Sequence, residues 1–196
     1  MNSGRVLQGH PALGAWIAHG LGSANKNLPS FVVMLDPRGG PIPGAANWTS
    51  GYMPAAYQGT VFREQGSPVL HLQPTKPRSQ PVTDARFRLL KQLNERHLAE
   101  RPGALELEAR IENYELAARM QLEAARAIDI SQETAATQSL YGLDNPLTAN
   151  YGKRCLLARR LVEMGVRCVQ IFPPLEPSFQ PWDNHSAIEG GLKTIC

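Results

Sequence analysis

Long apolar runs are missing from this sequence of 196 residues. No stretch reaches the roughly eighteen consecutive apolar residues of a membrane span. The N-terminus also does not run from basic to apolar to small residues, as an export signal does. The chain therefore shows no membrane span and no signal, and read literally it stays in the cytoplasm. Cysteine is scarce: Cys155, Cys168 and Cys196 are odd in number and widely spaced, with no C-x-x-C pair and no histidine at finger-like spacing. That pattern excludes a disulfide framework and a structural zinc site. Cys155 lies in an apolar helical stretch and Cys168 in an apolar strand, so both read as small core residues.

Charge of one sign is lacking too. The net charge is +3, and the basic residues Arg86, Arg88, Lys91, Arg96, Arg110, Arg119 and Arg126 alternate with Glu95, Glu108, Glu112, Glu115 and Glu123. Such mixing reads as solvated helix faces and excludes a nucleic-acid partner. There is no nucleophile elbow, no phosphate-binding Gly-Lys loop and no dinucleotide fingerprint.

What is present is a hydrophobic fraction of 42% and a charged fraction of 19%, those of an ordinary globular domain. The opening predicts a short helix within 11–20, with Leu13, Trp16 and Ile17 on one side and Gly20 or Gly22 as its stop. Residues 28–35 form a compact β-branched and aromatic run that predicts a buried strand. From 36 to 80 the chain is crowded with proline and glycine and reads as a long irregular loop. Trp48, Tyr52, Tyr57 and Phe62 mark that loop as packed, since a free linker has no use for aromatics.

A helical hairpin is predicted over 82–127. Its first arm, about 82–100, carries Ala85, Leu89, Leu93 and Leu90, Leu98 at helical spacing, and Arg101-Pro-Gly103 ends it. The second arm, about 104–127, carries the stripe Leu107, Ile111, Tyr114, Ala118, Leu122 and Ala125. Ser131 is expected to cap a short helix through 140. Residues 150–196 read as a helix–strand–loop unit: helix 151–164, Gly165 as its left-handed cap, strand 166–172, then a loop carrying Trp182-Asp-Asn-His185. Together these predict an α/β protein with a mainly parallel sheet covered by helices, of which the chain holds only part.

Ligand sites in open α/β sheets lie beyond the carboxyl ends of strands, and the loop after 172 occupies such a position. Asp183 and His185 pair a carboxylate with an imidazole two residues apart, a set that suits a divalent cation. They are the candidate metal ligands; no catalytic residue can be named. Against that stands the plainer reading that Asp183 caps a helix starting near Ser186 while His185 lies on the surface. His10, His19, His71 and His97 have no ligand-like neighbours in sequence, and Asn47-Trp-Thr49 and Asn184-His-Ser186 match a glycosylation pattern without further support.

The order of segments resembles a bacterial family, domain of unknown function 1501. The resemblance spans essentially the whole chain. It is carried by Asn2-Ser-Gly4, Leu13-Gly-Ala-Trp16, Gly20-Leu-Gly-Ser23, Asn27-Leu-Pro29 with Phe31-Val-Val33, and Tyr57-Gln-Gly59. It continues through Tyr114-Glu-Leu-Ala117 with Met120-Gln121, Tyr141-Gly142, the run Cys155 to Glu163, Gly165-Val-Arg167 and Trp182-Asp-x-His185. The family is grouped with the sulfatases and alkaline phosphatases. The resemblance thus implies a partial three-layer α/β/α alkaline-phosphatase-like fold, with the proline- and glycine-rich loop and the helical hairpin as insertions.

It further implies a metal-dependent hydrolase of phosphate or sulfate esters, periplasmic or secreted, acting on a small-molecule or polysaccharide ester. A divalent metal (zinc, calcium or magnesium) would be held in the full-length protein, with Asp183 and His185 among its ligands. The family's Gly-rich first strand, its Gly-Glu-Phe-Gly-Arg segment and its Asp-His-x-His segment are not in these residues. The chain is therefore expected to be one incomplete domain over 1–196, to bind no metal and be inactive alone, and to be poorly soluble because a partial sheet leaves bare edges. The alternative expectation is a non-catalytic surface or carbohydrate-associated binding protein that keeps the fold. The residues do not set the oligomeric state.

Overall fold

The computed structural model describes residues 3–4, 7–64, 66–69, 79–173 and 188–190. Asp183, His185, His71, Cys196 and the Asn184 glycosylation pattern lie outside the described residues. Three short strands form a parallel sheet in the order β2-β1-β3: β1 is Phe31–Met34, β2 is Thr60–Phe62 and β3 is Cys168–Ile171. β1 is central, with Val33 opposite Val61 on one side and Gln170 on the other. It is an unbroken apolar run with every residue buried, as expected of a strand covered on both faces.

Side-chain alternation along β1 divides the core in two. Val32 and Met34 face one layer, where they meet Phe62, Met120, Ala124, Leu157 and Leu161. Phe31 and Val33 face the other, with Ala12, Ala18 and Trp48. The first layer is built by helices α3 (Leu105–Ile128) and α5 (Ala149–Glu163), the second by α1 (Leu13–Leu21) and a 3₁₀ turn at Gly44–Trp48, while a second 3₁₀ turn at Ala55–Tyr57 touches both α1 and α3. The described chain is thus a mixed α/β structure with helices on both faces of a small parallel sheet.

α1 packs by its small residues. Its buried positions are Gly14, Ala15 and Ala18, while Leu13 and Trp16, expected on the inner side, are exposed. The reason is space: a Cβ built on Gly14 would run into the Phe31 ring, so only glycine lets the helix lie this close to the sheet. Gly22, at φ 63°, ends the helix as foreseen, donating its N–H to the Ala18 carbonyl.

The segment 36–80 is less irregular than its composition suggests. It contains both 3₁₀ turns and strand β2, whose three residues are too few to show a periodicity. The hairpin arms are α2 (Gln80–Ala99) and α3. The buried face of α3 runs through Ala109, Met120, Ala124 and Ala127, not through the predicted stripe, and Tyr114 and Ala125 are exposed. That face packs against α5 and the 3₁₀ turn Ala55–Tyr57. α2 buries no residue at all, although it carries the apolar spacing of a packed helix. The short helix α4 (Ala135–Leu140) is capped by Thr134, whose hydroxyl accepts from the Thr137 N–H, and Ser131 precedes it in a turn.

α5 ends as its sequence foretells. Gly165 has φ 96°, its N–H bonds the Val162 carbonyl and the Val166 N–H bonds Leu161, which is the full left-handed helix stop. The side chain of Asn25 adds a third bond, from Nδ2 to the Met164 carbonyl at 2.7 Å. Arg160 of α5 in turn donates to the Arg126 and Ala127 carbonyls at the end of α3. The carboxyl ends of α3 and α5 are therefore both satisfied in part by a neighbouring element.

Replacing Gly14 with valine is expected to cost about 1–3 kcal/mol in urea unfolding, through overpacking against Phe31. Leu13→Ser, at an exposed position on the same helix, should stay within about 0.5 kcal/mol of the parent. Equal effects at the two positions would contradict the close-approach explanation.

Candidate functional site at the carboxyl edge of the sheet

All three strands are parallel, so their carboxyl ends share one edge. β1 ends at Met34, and two residues later Asp36 turns the chain. Its carbonyl accepts from Gly39 N–H, and its Oδ1 accepts from the Arg38 backbone N–H at 3.0 Å. The Arg38 side chain folds back onto the same carboxylate, with Nε 2.9 Å from Oδ1. From α5 comes Arg154, in its second turn, with Nη2 2.6 Å from Asp36 Oδ2. The Asp36 and Arg154 side chains are 0% and 1% exposed, so this ion pair is wholly withdrawn from water.

Arg154 lies on the same α5 stripe as Leu157 and Leu161, which is why the helix carries it into the interior. Its Nη1 donates to Asn150 Oδ1 at 2.8 Å, and its guanidinium sits 5.6 Å from the Tyr151 ring centroid. Two residues beyond β2, Glu64 brings a second carboxylate, with Oε2 4.0 Å from Arg154 Nη1. Lys153 completes the clamp, its Nζ donating to the Glu64 carbonyl at 3.2 Å. One turn of α5 thus holds the chain just past both β1 and β2.

The two carboxylates are in opposite electrostatic situations. Burial alone would push Asp36 up, but hydrogen bonds from Arg38 and Arg154 outweigh it and hold the carboxyl below its usual value. Glu64 is pushed up, because burial outweighs the attraction of Arg154 and Lys153. Among the described residues, Glu64 Oε2 and Arg154 Nε have no hydrogen-bond partner. A buried acceptor and a buried donor are therefore both left at this edge.

The edge was not singled out from the sequence. Its signals were an aspartate directly following a buried strand and an arginine on the apolar stripe of a helix. The residues that were singled out, Asp183 and His185, lie outside the described residues, beyond the end of β3. That strand finishes on the same edge: Phe172 N–H bonds the Met34 carbonyl, two residues before Asp36.

Among the described residues no three His, Cys, Asp or Glu side chains gather as a metal site. Cys155 and Cys168 are half-buried free thiols whose pKa values burial raises, so neither is an activated nucleophile. His19 rests edge-on against Tyr57 and His10 against Tyr52, while His97 meets Arg101. A second charged cluster, Glu133 bonded to Arg159 and Arg160 at 2.6 Å each, ties the approach to α4 onto α5 and serves the packing of helices.

The raised Glu64 pKa sets a testable pH dependence. A carboxyl whose folded value exceeds its unfolded one contributes stability that is fully present below the unfolded pKa and is lost as pH rises through the folded value. Glu64→Gln should therefore be more stable than the parent at pH 7, and the gap should close as pH falls below the ordinary value of 4.5. Urea unfolding at the two pH values reads this directly; a destabilised Gln variant at pH 7 would mean that ionised Glu64 is a net asset to the fold.

Neither the curated proteins nor the solved structures contain a match to the chain. The family model described as Protein of unknown function (DUF1501) matches residues 1–196. The match covers every segment that carried the resemblance, from Asn2-Ser-Gly4 to Trp182-Asp-x-His185, and on that ground the chain belongs to the DUF1501 family.

Proposed function

We propose that the chain is part of a sulfatase-like, metal-dependent hydrolase of phosphate or sulfate esters that works in the periplasm or outside the cell. Asp183 and His185 are its metal ligands in this reading, and the residues 1–196 are inactive alone. The observation that supports the proposal is the position of the charged edge. A parallel sheet covered on both faces exposes ligand-binding loops where its strands end. Here that edge carries Arg38, half exposed and fixed by Asp36, beside the strand whose continuation leads to Asp183 and His185. An arginine held in one orientation by a carboxylate is suited to the oxygens of a phosphate or sulfate group.

The described part of the edge does not itself fit a metal. Both oxygens of Asp36 are taken by Arg38 and Arg154, and Glu64 faces Arg154 and Lys153. A divalent cation there would meet fixed positive charge, so no step is assigned to a metal at Asp36 or Glu64. The same observation favours a second reading, a non-catalytic surface or carbohydrate-associated binding protein. Carboxylates neutralised from within the fold keep its shape and leave the outer face of the edge for ligand contacts.

The two readings separate in one experiment. The longer protein that the first reading requires is purified with zinc, calcium or magnesium, its metal content is measured, and turnover of aryl phosphate and aryl sulfate is followed beside that of the 196-residue chain. The hydrolase reading predicts bound metal and turnover in the longer protein, both lost in Asp183→Asn and His185→Gln, and none in the short chain. Turnover by the 196-residue chain itself, or a longer protein with neither metal nor activity, would overturn it, and polysaccharide binding in the latter case would establish the second reading.

A further inference from the structure

α2 is a helix of 20 residues, about 30 Å long at ~1.5 Å per residue. It buries nothing, although helices in folded proteins gain most of their stability by packing an apolar face. Among the described residues, the one element it packs against appreciably is α3. Thr83, Asn94 and Leu98, its half-buried positions, share one side at four-residue multiples or nearly so. A second stripe at helical spacing, Val82, Ala85, Leu89 and Leu93, lies more than a quarter-turn away. Its three large residues are 50%, 57% and 54% exposed. A solvated helix has no use for two apolar stripes; a helix with a neighbour on each does.

Charge identifies the second neighbour. α2 carries Arg86, Arg88, Lys91 and Arg96 against Asp84 and Glu95, while α3 carries five glutamates against three arginines. Packing α2 of one molecule on α2 of another would set like charge against like. Packing it on α3 of another joins opposite signs, and two-fold symmetry repeats the match on the other side. The side of α3 turned away from its buried residues supplies the apolar part of such a contact with Tyr114, about two-thirds exposed. Two helices of this length present a strip of roughly 30 by 20 Å per molecule, on the order of the ~800 Å² per partner that a stable interface buries.

We propose that the α2–α3 hairpin is a self-association surface, through which two copies of this chain join hairpin to hairpin as a four-helix bundle with α2 of each against α3 of the other. The test is sedimentation equilibrium of the full chain and three variants. The wild type is expected to be a dimer at micromolar concentration. Leu89→Lys with Leu93→Lys should be monomeric with unchanged helix content, since both side chains are exposed. Arg86→Glu with Arg96→Glu should weaken the dimer about tenfold, and adding Glu108→Lys with Glu115→Lys, which share one side of α3, should restore it, because four pairs of a few tenths of a kcal/mol each amount to that factor.

Restoration by the combined reversal is the result a purely structural effect of the substitutions would not give. A wild type that stays monomeric to about 100 μM, far above the affinity of a standard-size interface, overturns the proposal. So does a dimer indifferent to the α2 substitutions, or a monomer whose α2 stripe instead binds anionic lipid vesicles.

Discussion

The ion pair between Asp36 and Arg154 is the constraint around which the described structure is arranged. It joins the end of the central strand to helix α5, and neither side chain reaches water. Burying two charges is costly, and the mutual attraction offsets that cost only when the remaining hydrogen bonds are made. Here most are: Asp36 accepts from the backbone and side chain of Arg38, and Arg154 donates to Asn150. The pair therefore fixes where the loop after β1 turns and how α5 is rotated. Through Lys153 and Glu64 it reaches the end of β2 as well.

With α5 fixed, the rest of that layer follows. Leu157 and Leu161 meet Val32, Met34 and Phe62, and Arg160 closes the end of α3. The opposite layer uses a different device, close approach by small residues, with Gly14 against Phe31. One face of the sheet is thus oriented by a polar clamp and the other by steric fit. Among the described residues the carboxyl edge is lined by the turns after β1 and β2 and by the first turns of α5, and such an edge is where a ligand site belongs in this architecture. Of the three buried side-chain atoms without a hydrogen-bond partner among the described residues, Glu64 Oε2 and Arg154 Nε lie at that edge, and Arg159 Nε lies in the cluster around Glu133.

Much of the fold was legible in the sequence. The run 28–35 and the Gly165 stop carried unambiguous signals, because a buried strand needs contiguous apolar residues and a left-handed helix stop needs glycine. β2 was not legible: three residues inside a proline- and glycine-rich stretch show no period. The inner face of α1 differs from its large apolar positions for a physical reason. Periodicity of large apolar residues marks the inside only when there is room for them. Where α1 lies close to the sheet, glycine and alanine take the inner face, leaving Leu13 and Trp16 outside. The site was half legible. The carboxyl edge follows from strand direction, but the partner of Asp36 comes from 118 residues away in the chain, a contact no local pattern announces.

The central claim is that Asp36 and Arg154 act as one unit that secures the edge, and a double-mutant cycle tests it most directly. Urea unfolding at pH 7 is compared for the parent, Asp36→Asn, Arg154→Met and the combined variant. Each single change leaves a buried charge without its partner, and the account predicts a loss of about 3–5 kcal/mol for each, with a double loss far smaller than their sum. Additive losses would contradict it, since they would mean that the two side chains stabilise the fold independently and that the edge is held by something else.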